Sequence, residues 1–147
     1  MLGAPMIERV DRTTARQPSA AGSSHRVRWL AVLLGVATFA LFADCLRNSF
    51  VWDDEQFIVK NSFLTSPKLL PQLLTHNVVA GAGLDSNLYR PVASMTHLLD
   101  VQLWGYRPFW HHLVTVLIHV AAAVAIFWML SRLFGAWPAW LATAWYA

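Results

Sequence analysis

Phe109-Trp-His-His-Leu-Val-Thr-Val-Leu-Ile-His-Val-Ala-Ala-Ala-Val-Ala-Ile-Phe-Trp-Met-Leu130 holds no Asp, Glu, Lys or Arg. At 1.5 Å per residue a helix of this length reaches just past the hydrocarbon thickness of a bilayer, about 30 Å. A helix on the surface of a soluble domain carries charge along one face, and this stretch has none to offer. It reads as a membrane-spanning helix.

A second run of this kind lies upstream. Trp29-Leu-Ala-Val-Leu-Leu-Gly-Val-Ala-Thr-Phe-Ala-Leu-Phe-Ala43 is uncharged, and Asp44-Cys-Leu46 extends it to a marginal crossing of about 18 residues. A third run opens near Trp137 and reaches Ala147, roughly half of the ~20 residues that a crossing needs. A half-crossing would leave carbonyls without partners at membrane depth, so the expectation is the opening portion of a longer protein.

Composition agrees. Hydrophobic residues make up 56% of the 147 and charged residues 13%, half the share usual in soluble domains. Six of the eight tryptophans (Trp29, Trp104, Trp110, Trp128, Trp137 and Trp140) lie in or beside the apolar runs, where they read as interfacial anchors. The fold class expected is all-α: a polytopic helical membrane protein fragment with a long, partly helical first extracytoplasmic loop. Its segments are a disordered cytoplasmic tail (1–28), a first span (29–46), the loop (47–108), a second span (109–130) and the start of a third (137–147).

Orientation follows the arginines. The tail carries Arg9, Arg12, Arg16, Arg26 and Arg28 against Glu8 and Asp11, and the link between spans two and three carries Arg132 with no acid. The positive-inside rule puts both on the cytoplasmic side and the 47–108 loop outside. The formal charge of +3 is accounted for by topology, and the scattered arginines form no strip for nucleic acid. A cleaved signal peptide is the competing reading of the N-terminus. The long tail and the lack of an Ala-x-Ala pair before Asp44 favour an uncleaved anchor, and a lone Cys45 supports no internal disulfide.

Within the loop, Asn48-Ser-Phe-Val-Trp-Asp-Asp-Glu-Gln-Phe-Ile-Val-Lys-Asn61 places three acids, Asp53, Asp54 and Glu55, a few residues beyond the first span. Carboxylates held there meet water, lipid head groups and substrate together. The plainer account is a solvated entry to the loop. Ser66-Pro67-Lys68 begins a short amphipathic helix ending near His76, Ala80-Gly-Ala-Gly83 breaks the chain, and a further helix starts at Pro91. Val92, Met95, Leu98, Leu99, Val101, Gln102 and Trp104 outline its apolar face, while His97 and Asp100, three apart, share another. Gly105-Tyr-Arg-Pro108 ends it.

The histidines of the second span need separate weighing. His112 and His119 are seven apart, about 10 Å along the axis, and cannot share one metal from that helix. His119 is deep enough to count as a functional candidate, although an interhelical hydrogen bond is its plainer role. No Walker sequence, dinucleotide loop, zinc spacing or Ser-His-Asp order occurs. No cofactor is expected, and a divalent metal has no support from spacing.

Phe50-Val-Trp-Asp-Asp54, Ile58, Asn61, Tyr89-Arg-Pro91, Gly105-x-x-Pro108 and His112-Leu-Val-x-x-Leu-x-His119 follow one another in an order that resembles the integral-membrane C-type glycosyltransferases. The likeness is to the transmembrane and tetratricopeptide-repeat-containing O-mannosyltransferases in particular, and it runs from about Arg28 to the end. It implies an enzyme that moves a sugar from a polyprenyl-phosphate carrier to a protein or glycan acceptor outside the membrane. Asp53 and Asp54 match the acidic pair of such enzymes, one of them as general base. Arg90, beside Tyr89, would face the departing lipid phosphate, and His119 is the further substrate-binding candidate. The chain departs from the pattern at Asp100 and Thr115, where Asn is common, and at His111, where Tyr is common. Two rivals stand beside this reading: a small non-enzymatic membrane protein or assembly subunit, and a transporter, for which the broken helices and midplane charges are lacking.

Overall fold

The computed structural model describes residues 20–147, with side chains described from His25 onward. The tail expected over residues 1–28 lies outside the described residues as far as position 19. From Ala20 to Arg28 the chain is helical, because the first helix, α1, runs Ala20–Phe42 and continues as a 3-10 turn over Ala43–Arg47. Gly22 and the serines after it, read as a structureless segment, thus sit within the first two turns of a long helix.

The loop holds the short α2 (Leu70–Thr75) and the longer α3 (Pro91–Trp104), and α4 (Pro108–Phe134) and α5 (Ala136–Tyr146) follow it. Pro91 and Pro108 each stand in the first turn of their helix, where a missing N–H costs nothing. His25–Arg47 and Pro108–Phe134 are long and apolar enough to cross a bilayer.

α1 and α4 run antiparallel. Phe42 meets His119, Gly35 lies against Val120 and Val124, and Leu30 and Ala31 join Phe127. α5 folds back beside them after Gly135, contributing Ala139 to a cluster of Leu30, Ala31, Leu34, Ala123 and Phe127. Thr38 and Thr143 are buried in the same bundle and return their hydroxyls to carbonyls one turn back, at 2.8 Å each, so that neither donor is left unpaired. The outside of the bundle is apolar, with Leu33, Val36, Leu41, Leu117, Ile118 and Leu133 all at least half exposed. A water-facing surface of that kind is unstable, whereas lipid accepts it.

Residues 48–107 form a second body on the end of the bundle where α1 finishes and α4 starts. Its core is Ile58, Leu64, Leu73, Leu98 and Val101, flanked by Phe50, Phe57, Phe63 and Leu70. Asn61 ties it together: its amide donates to the carbonyls of Phe57 (3.2 Å) and Val78 (3.1 Å), and its oxygen accepts from Phe63 N–H (3.1 Å). A Cβ built on Gly81 would run into that side chain, so the segment at 78–81 approaches Asn61 only because residue 81 has none. Ser62 closes the same contact by donating to the Gly81 carbonyl at 2.8 Å.

The apolar face expected of α3 divides in two. Leu98 and Val101 turn inward, with Ser94 and Asp100 buried beside them. Val92, Leu99 and Leu103 form an outward stripe, 74%, 61% and 66% exposed. The inward stripe packs on Ile58, Leu64 and Leu73, and this packing carries Asp100 inside with it.

Candidate functional site

Sequence spacing brings the site together at a corner. α3 ends at Trp104 and α4 begins at Pro108, so the last turns of one helix stand beside the first turn of the next. Gly105 makes this turn with φ 64° and ψ −153°, a conformation that only glycine adopts readily. Trp104 and Trp110 stack across it with centroids 4.7 Å apart. His111 reaches back over the corner, its Nε2–H donating to the Gly105 carbonyl at 2.9 Å. A carbonyl only accepts, so that bond puts the proton on Nε2. Nδ1 of the same ring then faces Asp100 Oδ2 at 3.9 Å, and it has no hydrogen-bond partner.

His97 lies one turn before Asp100 on α3, and one ligating atom from each of His97, Asp100 and His111 falls within 4.8 Å of the others. Asp100 is 4% exposed and His111 3%. Burial raises the Asp100 pKa above its ordinary value, against a smaller opposing effect from His111. Burial lowers the His97 pKa, His111 lowers it further, and the carboxylate of Asp54 pulls the other way. The acidic turn therefore lies close enough for its charge to be felt at His97.

That turn is built tightly. Asp54 N–H donates to the Val51 carbonyl at 3.1 Å, and Asp54 Oδ2 accepts from Val51 N–H at 3.2 Å. Trp52 between them has φ 50° and is 91% exposed, a bulky side chain in the left-handed region. Strain of this sort, of order 1–3 kcal/mol, persists where surrounding structure imposes it, and it gathers at functional sites. A π-helical turn, Glu55–Val59, follows, and Lys60 closes it onto Glu55 with an ion pair at 3.1 Å. Phe50 anchors the turn from the other side, edge-on to His111 and His112 at 5.2 and 6.1 Å.

The residues singled out from sequence fall into three places. Asp53 is exposed and Asp54 half-buried on the turn, and among the described residues neither makes an ion pair within 4.0 Å. Tyr89 and exposed Arg90 precede α3, with the Tyr89 hydroxyl donating to the Leu74 carbonyl at 2.6 Å. His119 sits elsewhere, two turns below His111 and about 12 Å from it along the axis. There it packs between Phe42 (5.0 Å) and Tyr146 (5.7 Å) in the bundle. Sequence reading missed the meeting of His97, Asp100 and His111. The signal was present in the i, i+3 pair just before Gly105-Tyr-Arg-Pro108 and a histidine just after it. A surface hollow of about 690 Å³ lies far from this chemistry, toward the other end of α4, lined by Ala121, Val124, Trp128 and Arg132 among others.

A helical body seated on two bilayer-length helices, with an acidic turn at their junction, defines the class: a helical membrane protein with a polar site at the end of its bundle. Comparison with known proteins makes this specific. Over 112 residues, 73% of this chain and 15% of the relative, it is 31% identical to the mouse protein O-mannosyl-transferase TMTC4. It is 30% identical to the Drosophila melanogaster protein O-mannosyl-transferase Tmtc1 over 118 residues, 76% of this chain and 14% of that one. The Caenorhabditis elegans protein O-mannosyl-transferase F38B6.6 is 28% identical over 120 residues, 80% of this chain and 17% of that one. The chain is thus related to the TMTC-type O-mannosyl-transferases, and it spans about 15% of the length of the curated relatives it matches. No family model matches it. No solved structure matches it either.

Proposed function

We propose that this chain forms part of a multi-pass membrane glycosyltransferase that moves a sugar, mannose on grounds of kinship, from a polyprenyl-phosphate carrier to a hydroxyl of a protein or glycan acceptor. The tail and Arg132 lie on the cytoplasmic side, and the 48–107 body with its acidic turn lies on the extracytoplasmic side, in the lumen or beyond an inner membrane. The observation that carries this reading is the acidic turn itself: strained at Trp52, held by Val51 and Phe50, and set at the end of the bundle where a lipid-borne sugar phosphate and a soluble acceptor meet.

In the reaction the acceptor oxygen attacks the anomeric carbon, its proton passes to a carboxylate, and the bond from that carbon to the phosphate oxygen breaks. Polyprenyl phosphate departs with the electron pair. Asp54 is the better base of the two, being half-buried and fixed by Val51, whereas exposed Asp53 is free to bind water. Arg90, with no ion pair among the described residues, supplies charge for the leaving phosphate, and Tyr89 flanks it. A sugar-lipid pocket buries most of its ligand, and a turn whose Trp52 is 91% exposed is open. The segment therefore works with further protein walls, and the 147 residues alone are inactive on this reading.

The test is transfer of labelled mannose from a polyprenyl-phosphate donor by membranes that hold a longer parent chain containing this segment. Asp54→Asn lowers kcat by about 10²–10⁴-fold, the range for loss of a positioned base, and leaves membrane insertion unchanged. Asp53→Asn costs under about 10-fold, short of that range. Full activity in both variants would remove the acidic turn from the chemistry.

A further inference from the structure

We propose that His97, Asp100 and His111 form a binding site for a divalent transition metal of the zinc type, clamping α3 to α4 at the corner of the fold. The proposal stands independently of the transferase reading, since it concerns only what these three side chains hold.

Three observations converge. Each residue presents one ligating atom, and the three atoms lie within 4.8 Å of one another on two different helices. Around a tetrahedral ion with bonds of about 2.0–2.1 Å, neighbouring ligands stand about 3.3 Å apart, so the 3.9 Å between His111 Nδ1 and Asp100 Oδ2 needs only a small closure. That 3.9 Å is too long for a hydrogen bond.

Second, the His111 ring has the orientation of a metal ligand. Its Nε2–H is given to the Gly105 carbonyl at 2.9 Å, which leaves Nδ1 as a bare, buried lone pair aimed at Asp100. A ligating histidine commonly donates its other N–H to a backbone carbonyl in this way. Nδ1 of His97 is likewise buried without a hydrogen-bond partner. Third, a lone pair facing a carboxylate is repulsive, and a buried, unpaired carboxylate is costly. A cation between the two removes both penalties.

The ligand chemistry selects the ion. Two imidazoles and one carboxylate suit Zn²⁺, Co²⁺ or Fe²⁺, whereas Mg²⁺ and Ca²⁺ take oxygen ligands.

The experiment uses the full chain in detergent micelles, stripped with chelator and titrated with Zn²⁺, with bound metal measured by elemental analysis after gel filtration. One Zn²⁺ per chain is expected. His97→Ala, Asp100→Asn and His111→Phe each weaken binding by more than the 10–100-fold that loss of an outer-sphere partner causes. His25→Ala and His76→Ala leave it unchanged. X-ray absorption on the zinc-loaded native chain supplies a readout that needs no variant: two imidazoles and one carboxylate at about 2.0–2.2 Å. Absence of bound metal, retention of full affinity in all three ligand variants, or an absorption spectrum without imidazole scattering would each overturn the site.

Discussion

Gly81→Ala and Asn61→Ala should be strongly non-additive, and the sign of the coupling follows from the geometry. Asn61 is 4% exposed and makes three hydrogen bonds, two of them to the Phe57 and Val78 carbonyls. Truncating it to Ala leaves those carbonyls without this donor and Phe63 N–H without its acceptor, at a cost of about 2–3 kcal/mol when each bond is worth about 1. Gly81→Ala costs about 2 kcal/mol by a different route, overpacking, since the new Cβ lands on the Asn61 side chain. In the double variant the obstructing side chain is gone, and the nearest approach left is 3.0 Å, to Phe63 Cγ. The pair should therefore cost about what Asn61→Ala costs alone, with a coupling of about 1–2 kcal/mol. Hydrogen exchange of the 57–81 amides in detergent reads the opening free energy of this region directly, apart from the bundle. Additive losses, or an Asn61→Ala effect below about 0.5 kcal/mol, would refute the view that this contact holds the loop body together.

Other outcomes follow from the same structure. In metal-free protein, His97 is held below its ordinary 6.5, so the unfolded chain takes up the proton first as pH falls. Its contribution is present above pH 6.5 and is lost as pH drops through that value toward the lowered folded pKa. His97→Leu should flatten the stability profile in that window, measured by thermal unfolding with chelator present. Asp100 acts oppositely, since its raised pKa makes it stabilising below 3.8 and increasingly costly as pH rises from there toward the folded pKa. Phe127, 0% exposed between α1, α4 and α5, should cost about 3–5 kcal/mol when cut to Ala, seen as a lower unfolding temperature in micelles, with the 57–81 exchange rates unchanged.

How much of this was legible varies residue by residue. The two long helices were plain because an uncharged run of bilayer length has few alternatives. The helix starts at Pro91 and Pro108 and the break at Gly105 were equally readable, each from local backbone chemistry. The start of α1 was not: Ala20-Ala-Gly-Ser-Ser has weak helix propensity, and it is helical as the leading turns of the long apolar helix it joins. On α3, periodicity alone could not tell the inward stripe of Leu98 and Val101 from the outward one of Val92, Leu99 and Leu103, since both are apolar at helical spacing.

The site divides along the same line. By itself the sequence determined that this is a helical chain suited to a membrane, that an acidic pair follows the first long helix, and that its ordered motifs resemble those of membrane mannosyltransferases. Those properties reside in composition, run length and spacing, which are local. Only the tertiary structure decided that Asp54 rather than Asp53 is half-buried, that Asn61 and Gly81 are locked together, and that His97 and Asp100 meet His111 across the corner. The first two depend on how loop segments fold onto their surroundings, and the last on the rotation of one helix against another. A helix turns 100° per residue, so a change of register by one residue, invisible to any count of apolar positions, would point Asp100 away from His111.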